Sequence, residues 1–479
     1  MLLLAAAAML PTACGSAGDS GQHGDPAAPQ ADAPAQAEPA ETAPETIPSG
    51  LPDMDLGGFT LTLFRSGVYF PEYGVWRSEL TGDAVNDAIF NRNKYLEETY
   101  GCVIELLETD EEHASKAVSK YVASGDDTVD VVFDGGEYIG LSAASFLDLN
   151  GLEHFHFDQP WWNRDFNKGV TIGGKLYFTI GCYQTTALEG IRHVVFNKNV
   201  AGDYGIEPDG YYDLVRRGGW VIDRMAEDAL KVKADLNGDG AYDRNDLWGL
   251  VGENYVTWSL ALGCGFKCAE KDADDMPVIT FASEDNIAVM DKVLQITGNQ
   301  EVSIIAQRLG TEDKWTIYGE LLSSSGQWLF TAAGLMSTMR AMADDYGVLP
   351  SPKFDESQDR YYHDASLGLN PTTAVPVSAS DPDTVSYLME AMCWASYNQV
   401  LPEFYENYLN TKMVRDEESV EMLRIVHNSL YYDIGALYNW GDMRMNIEGM
   451  TENNLATKYA KTEKSINKAL DKTLAAFGF

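Results

Sequence analysis

Basic residues are scarce in this chain of 479 residues. It carries 34 Lys and Arg against 73 Asp and Glu, which gives a formal net charge of −39. A surface of this sign repels the phosphates of nucleic acids and of anionic lipid headgroups. We therefore expect no nucleic-acid partner and no attachment to a membrane through the folded surface itself.

Long apolar runs are also missing. Residues 2–10 form a run that is too short to span a bilayer but fits the apolar region of a secretory signal. Pro11-Thr12-Ala13-Cys14 follows and resembles a bacterial lipobox, in which the cysteine is lipidated. We expect residues 1–14 to be a lipoprotein signal with Cys14 as the lipidation site. A cleaved signal without lipid is the alternative.

Cysteine is rare, with six residues in the chain and five once Cys14 is set aside. An odd number argues against a disulfide framework. Cys264 and Cys268 form the one close pair, and the sequence leaves open whether they make a disulfide or stay as buried thiols. Three residues between two cysteines, with no second pair nearby, is poor evidence for zinc.

The segment that follows the signal has almost nothing to bury. Residues 15–56 are dominated by small, polar and acidic residues and contain no Lys or Arg. Such a composition predicts a disordered acidic tether. About 430 residues remain after it, which is too many for one ordinary core, so we expect two lobes.

Strand and helix patterns alternate after the tether. Strands are predicted at 59–64, 102–107, 129–133, 175–180 and 193–196. A helix that Asp83 caps and Gly101 closes is predicted to carry Val85, Ile89, Leu96 and Tyr100 toward the core. Further helices are predicted at 111–124, 222–233, 284–297, 383–397, 416–430 and 454–476. The early alternation predicts a parallel sheet in an α/β lobe, with ligand at the carboxyl ends of its strands. That edge directs attention to Ser66, Tyr69 and Asp134.

The loop at 235–246 has the spacing of a calcium loop. Oxygen-bearing side chains stand at loop positions 1, 3, 5, 9 and 12, and Gly240 at position 6 allows the sharp turn. The expected ligands, including a backbone carbonyl at position 7, are Asp235, Asn237, Asp239, Ala241, Asp243 and Asp246. Because the loop is single, we expect a structural calcium ion. A solvated acidic turn is the alternative.

An ordered series of short motifs runs through the body of the chain. The motifs are Trp161-Trp162-Asn163, Gly173-Gly-Lys-Leu-Tyr177, Val195-Phe-Asn-Lys198, Asp203-Tyr-Gly205, Gly219-Trp220, Trp248-Gly-Leu, Tyr346-Gly-Val-Leu-Pro350, Met413-Val-Arg-Asp-Glu-Glu418 and Tyr438-Asn-Trp440-Gly441. With the lipobox and the tether, this order resembles the extracellular solute-binding lipoproteins of sugar ABC transporters, family 1.

The resemblance implies an α/β fold, a two-lobed clamp like that of periplasmic binding proteins, with a ligand cleft between the lobes. By analogy with maltodextrin-binding proteins, one lobe would take 57–184 plus 324–374. The other would take 185–323 plus 375–479. The implied protein is a monomer and not an enzyme. It would bind a carbohydrate and deliver it to ABC permease subunits, and a lipid anchor would hold it on the extracellular face of the cell membrane.

Sugar contacts are implied by one further similarity. Glu253-Asn-Tyr255-Val-Thr-Trp258 is similar to a maltodextrin-binding segment in which the Glu and the Tyr contact sugar. A pyranose lays its C–H faces on aromatic rings and needs polar groups for its hydroxyls. The candidate ligand contacts are Tyr69, Asp134, Tyr183, Glu253, Tyr255, Trp258 and Trp440. Asp134 is also placed to cap a helix, and Trp161 and Trp162 are assigned to packing. We expect Trp258→Ala to weaken binding about tenfold or more with little change in melting temperature.

Other functions remain open at this point. A secreted glycoside hydrolase needs two carboxylates, and 73 acidic residues offer many pairs. A dockerin-like adhesion module normally needs two calcium loops, and this chain has one. His154 and His156, flanked by Glu153 and Asp158, are either a metal cluster or ordinary loop residues.

Overall fold

A computed structural model describes residues 47–68, 74–185, 190–310, 313–324, 326–333, 339, 342–364, 371–410 and 414–479. The predicted signal, Cys14 and most of the tether lie outside these residues, as does Tyr69. Residues 47–479 form one compact unit. In the described part of the chain, no helix combines the length and the apolar character needed to cross a bilayer.

The last part of the predicted tether is ordered against the body, which corrects the expectation of disorder for 47–56. The carbonyl of Ile47 accepts a hydrogen bond from Trp394 Nε1 at 2.5 Å. The carbonyl of Pro52 accepts one from the Tyr387 hydroxyl at 2.6 Å. These ring donors hold an extended segment, and its Leu51, Met54 and Leu56 side chains pack against the core.

The strands β1–β11 are, in chain order, Thr60–Ser66, Val103–Thr109, Val131–Asp134, His193–Asn197, Trp248–Gly252, Ala269–Lys271, Pro277–Ile279, Ser303–Ile305, Trp328–Ala333, Tyr346–Leu349 and Thr372–Ala374. The helices α1–α16 are Ala84–Tyr100, Ala114–Ser124, Gly136–Leu141, Arg164–Val170, Lys198–Asp203, Pro208–Arg216, Ile222–Lys231, Tyr255–Gly263, Glu284–Thr297, Lys314–Ser323, Pro382–Ala395, Leu401–Asn410, Glu417–Asn428, Ile434–Leu437, Met443–Ile447 and Leu455–Ala476.

The first sheet has the strand order β11-β3-β1-β2. β1 pairs in parallel with β2 and β3, and β11 runs antiparallel to β3. The predicted parallel α/β arrangement is therefore confirmed. Its local signals act as expected: the Asp83 side chain accepts from Asn86 N at the start of α1, and Gly101 ends the helix at a φ of 62°.

The second sheet has the order β10-β4-β9-β5-β8. β5 is parallel to β8 and β9, whereas β4 is antiparallel to β9 and β10. The segment 324–374, expected in one lobe, therefore divides between the sheets, because β9 and β10 join the second and β11 joins the first.

The C-terminal segment 375–479 divides as well. α11 and α12 pack against α1, beside the first sheet, while α13 packs on β10 of the second. Tyr387 of α11 makes an edge contact with Tyr100 of α1 at a ring distance of 5.3 Å. The chain thus crosses between the sheets at points that its local residue pattern does not mark.

The predicted strand at 175–180 is wrong as a regular strand. Its backbone is bonded to a strand neighbour at Thr179, which exchanges two 2.9 Å hydrogen bonds with Thr373. The alternating residues are still used for burial, since Leu176, Phe178 and Ile180 all lie in the core. The alternating pattern thus predicted correctly which side chains are buried. It predicted incorrectly that the segment forms a continuous row of strand hydrogen bonds.

Candidate functional site

A buried polar cluster lies beyond the carboxyl end of β5. Glu253 follows the strand directly, and α8 begins at Tyr255 with every one of its residues buried. A helix that is apolar all round can only sit inside the protein. This placement carries the polar ends of Tyr255 and Trp258 into the interior, where each needs a partner.

Asp364 supplies those partners. Its Oδ2 accepts from the Tyr255 hydroxyl at 2.5 Å and from Trp258 Nε1 at 3.0 Å, and its Oδ1 accepts from Ser259 Oγ at 3.3 Å. Burial raises the pKa of Asp364, while donation from Tyr255 and the charge of Arg192 oppose the increase. Nothing in its local sequence marked Asp364, because its partners come from a helix more than a hundred residues away.

Two guanidinium groups complete the cluster. Arg192 Cζ lies 4.7 Å and Arg444 Cζ 5.2 Å from the centre of the Tyr255 ring. Arg192 also lies 3.4 Å from Glu253 Oε1, and Arg444 pairs with Glu448. We use the name polar cluster for Arg192, Glu253, Tyr255, Trp258, Asp364 and Arg444. It joins aromatic faces to charged hydrogen-bonding groups, the combination that sugars require.

The polar cluster is closed in this structure. The cavity beside it, which Tyr255, Trp258, Asp364, Asp433 and Arg444 help to line, measures about 10 Å³. That volume holds about one water molecule. A sugar ring could enter only if the surrounding segments moved apart.

Three of the predicted ligand contacts, Glu253, Tyr255 and Trp258, therefore lie together. Trp258 is only 2% exposed. Removing a buried indole costs about 3–5 kcal/mol, so this burial argues for a lower melting temperature in Trp258→Ala and against the expectation of little change.

Asp134 lies at the carboxyl end of β3 and is 1% exposed. Its Oδ2 accepts from the backbone N of Ser115 at 2.8 Å and from the Ser115 hydroxyl at 2.6 Å. His113 Nδ1 lies 3.5 Å from the other oxygen. The carboxylate thus satisfies the first turn of α2, the capping alternative that the sequence offered, and contact with a ligand stays a prediction.

Tyr183 and Trp440 are both fully buried. The Tyr183 hydroxyl donates to Thr373 Oγ1 at 2.6 Å, and Trp440 Nε1 donates to Thr473 Oγ1 at 2.9 Å. Trp440 also stacks on Tyr438 with ring centres 5.6 Å apart. Their polar atoms are used within the fold, and their role in binding stays a prediction.

A pocket of about 290 Å³ lies at the carboxyl edge of the first sheet. Arg65 and Glu108, at the ends of β1 and β2, form an ion pair on its wall. Trp76 supplies an aromatic surface, and Arg77 and Phe133 lie beside it. This is the edge at which the parallel sheet predicts a ligand.

The most spacious of the pockets described measures about 560 Å³. We call it the aromatic groove and define it by Trp161, Trp162, Gln184, Tyr397, Tyr405, His427 and Tyr432. Glu390 of α11 accepts from Trp161 Nε1 at 2.9 Å and from Trp162 Nε1 at 2.7 Å. The sequence assigned both tryptophans to packing. Their buried position agrees with that assignment, but the adjoining groove was missed.

The predicted calcium loop folds into a succession of side-chain-capped turns. Asp235 accepts from the backbone N–H groups of Gly238 and Gly240, at 2.7 and 2.8 Å, and Gly240 adopts a φ of 81°. Donation from Gly240 lowers the pKa of Asp235. Asp239 accepts from Ala241 N at 2.8 Å. The turn conformation that Gly240 was expected to allow is present.

Both carboxylate oxygens of the twelfth loop residue accept hydrogen bonds from the loop backbone. Asp246 is fully buried, and its two oxygens accept from Leu236 N at 2.9 Å and from Asp243 N at 2.8 Å. Across the described residues, no three His, Cys, Asp or Glu side chains are grouped to share an ion. Calcium therefore stays a prediction from the spacing.

Two smaller questions are answered. Cys264 and Cys268 are free buried thiols, so the alternative of a disulfide is excluded in this structure. His156 lies 3.4 Å from Glu390, and His154 packs on the edge of the Tyr387 ring. Both histidines therefore contact side chains of α11, as ordinary loop residues would.

Known structures share this fold. A crystal structure of a cyclo/maltodextrin-binding protein complexed with maltotetraose is similar, with a TM-score of 0.54 and 13% identity, over 87% of this chain and 96% of that one. UspC of M. tuberculosis gives a TM-score of 0.52 and 12% identity, over 87% of this chain and 100% of that one. No family model and no curated protein matches the sequence. The likeness concerns the fold, which is the two-lobed α/β clamp that the sequence predicts.

Proposed function

We propose that this chain is the substrate-binding component of an ABC importer and captures a sugar or oligosaccharide between its lobes. The observation that carries the proposal is the polar cluster, where two aromatic side chains, two guanidinium groups and two carboxylates meet beyond β5. The structural likeness to a protein complexed with maltotetraose supports the same class of ligand.

The chemistry of the polar cluster suits reversible capture. The faces of Tyr255 and Trp258 would carry the C–H surface of a pyranose, and Glu253 and Asp364 would accept from its hydroxyls. Opening of the cluster would expose these groups, and closure around a sugar would exchange their mutual hydrogen bonds for bonds to the ligand. Delivery to permease subunits would follow from opening at the membrane.

Calorimetric titration against a panel of mono- and oligosaccharides tests the proposal directly. We expect binding at about micromolar Kd or tighter, with the sugar recovered intact. Chromatography of the sugar after the titration separates binding from hydrolysis. Shortened products would replace the proposal with a glycoside hydrolase, and an absence of heat across the panel would remove the sugar ligand.

We also propose that Cys14 carries the lipid that holds the protein on the extracellular face of the cell membrane. The support is the lipobox-like sequence and the acidic composition of the tether. Labelling of cells with a traceable fatty acid should mark the parent chain and not the Cys14→Ser variant. Equal labelling of both would refute the anchor.

A structural calcium ion in the loop at 235–246 is a separate proposal. Its support is the ligand spacing and the series of turns that bring Asp235, Asn237 and Asp239 onto one short segment. Because an ion that binds only the native state stabilises it, a chelator should lower the melting temperature. Asp239→Ala should abolish that shift. If the chelator does not change the melting temperature of the parent protein, a structural ion is excluded.

A further inference from the structure

The aromatic groove lies between segments that pack on different sheets. Trp161, Trp162 and Tyr405 line it from α12 and the segment before α4, and α12 packs against α1 beside the first sheet. His427 and Tyr432 also line it, at and beyond the end of α13, which packs on β10 of the second sheet. An occupant of the groove would therefore touch both parts of the clamp.

The aromatic walls are held in fixed orientations. Glu390 engages the indole nitrogens of Trp161 and Trp162, so their ring planes cannot rotate freely. Tyr397 lies in a π-helical turn, Ser396–Val400, between α11 and α12, and makes an edge contact with Trp161 at 6.4 Å. Tyr432 lines the groove and also the small cavity of the polar cluster. Fixed aromatic surfaces are suited to the apolar face of a flat ligand ring.

Arg164 and Asp165 are charged groups of the groove lining, whereas Gln184, Tyr405 and His427 offer it neutral polar atoms. Gln184 is 1% exposed, and its Oε1 accepts no hydrogen bond from any described residue, although its Nε2 donates to the carbonyl of Pro371. The Tyr405 hydroxyl and His427 Nδ1 lie 2.9 Å apart. Burial lowers the pKa of His427 to about 3, so its ring is neutral at ordinary pH. A buried acceptor without a donor favours a ligand that brings a hydroxyl.

We propose that the aromatic groove is a second carbohydrate site, which takes one neutral pyranose ring and is separate from the polar cluster. The proposal rests on the proposed function, because it assigns a second place for the same class of ligand. The ring would lie against the groove aromatics and donate one hydroxyl to Gln184 Oε1. A volume of about 560 Å³ is ample for one such ring.

Cys182 provides a reporter for this site, since it lines the groove. It is the one described cysteine whose side chain is not fully buried. Burial raises the pKa of its thiol to about 12, so alkylation by iodoacetamide is slow and needs mildly alkaline buffer. Peptide mass spectrometry of the full chain distinguishes Cys182 from Cys14. Glucose, galactose and maltose, each up to about 50 mM, are the probes.

We expect at least one probe to slow the alkylation of Cys182 about tenfold, and Tyr405→Ala to raise the protecting concentration about tenfold. Tyr204→Ala is the matched control, since Tyr204 is a half-buried tyrosine outside the groove. Asp364→Asn separates direct protection from closure of the lobes. If Asp364→Asn shifts the protecting concentration as much as Tyr405→Ala, the protection is conformational and the proposal is overturned.

The calorimetric titration distinguishes the two proposals. Sugar binding without protection of Cys182 overturns the groove site and leaves the proposed function standing. Protection without tight binding supports the groove and counts against the polar cluster. If no probe protects Cys182 at any concentration, the groove site is refuted whatever the titration shows.

Discussion

Two buried carboxylates hold pairs of aromatic donors in different parts of the molecule. Asp364 accepts from Tyr255 and Trp258 in the polar cluster. Glu390 accepts from Trp161 and Trp162 behind the aromatic groove. The same device therefore orients the rings of both candidate sites, although the two regions share no sequence pattern.

The surroundings of the two carboxylates differ. Asp364 lies among cationic side chains, with Arg192 and Arg444 over the ring of its partner Tyr255. Glu390 lies 3.4 Å from His156 Nδ1 and otherwise accepts hydrogen bonds from the His156 backbone N–H and the two indole N–H groups. The first region has closed on a cavity of about 10 Å³, whereas the second borders about 560 Å³. The carboxylate of the closed site thus lies near two guanidinium groups, whereas that of the open site is held by indole and backbone donors.

The largest effect should come from Glu390→Ala. Two buried indole donors would lose their acceptor, at about 1–3 kcal/mol each, so we expect a loss of about 4 kcal/mol in the free energy of unfolding. Chemical denaturation measures the loss. Glu403→Ala, at an exposed position of α12, should change stability by less than about 0.5 kcal/mol. Equal stabilities for both variants would show that Glu390 does not organise the groove wall.

The sequence predicted the first sheet well because its signals are local. Asp83, Gly101 and the alternating burial of β1 act within a few residues of where they stand. β9 and β10 belong to the second sheet because both pair with β4, more than a hundred residues earlier in the chain. β9 also pairs with β5, about eighty residues earlier. The propensity and periodicity of a segment do not identify strand partners so far away in the sequence.

The candidate site divides in the same way. Glu253, Tyr255 and Trp258 are close in sequence, so one short motif placed them together. Asp364 and Glu390, which orient the aromatic rings, stand alone in their segments and read as ordinary acidic residues. They become recognisable only when tertiary packing brings ring donors to them. Trp440 shows the converse, because a conspicuous aromatic residue proves to be fully buried beside Thr473.

A smaller effect is expected for Asp364→Asn. The amide keeps one acceptor oxygen but replaces the other with a donor, which opposes the donors of Tyr255 and Trp258. We expect a loss of about 2 kcal/mol in stability and about a tenfold weaker sugar affinity. Denaturation and calorimetry on one preparation give both numbers. Asp359→Asn, on an exposed loop, is the control. Unchanged sugar affinity in Asp364→Asn would separate the polar cluster from the binding site.

The smallest effect contrasts the two regions through pH. Burial lowers the pKa of His427 in the groove from 6.5 to about 3. As pH falls, the unfolded chain therefore takes up the His427 proton before the folded chain does. The free energy of unfolding decreases for this reason as pH falls from about 6.5 toward 3. Burial raises the pKa of Asp433, beside the polar cluster, from 3.8 to about 6. Here the folded chain takes up the proton first, so stability is gained as pH falls from about 6 toward 3.8.

Each group should contribute about 1 kcal/mol between pH 6 and pH 5, with opposite signs. His427→Asn should make this acid step less destabilising than in the parent, and Asp433→Asn should make it more destabilising. Urea denaturation at the two pH values gives the difference for each variant. If both variants follow the parent, neither side chain changes its protonation on unfolding, and the two regions do not differ in their response to pH. Opposite shifts would establish that acid destabilises the folded chain through His427 and stabilises it through Asp433.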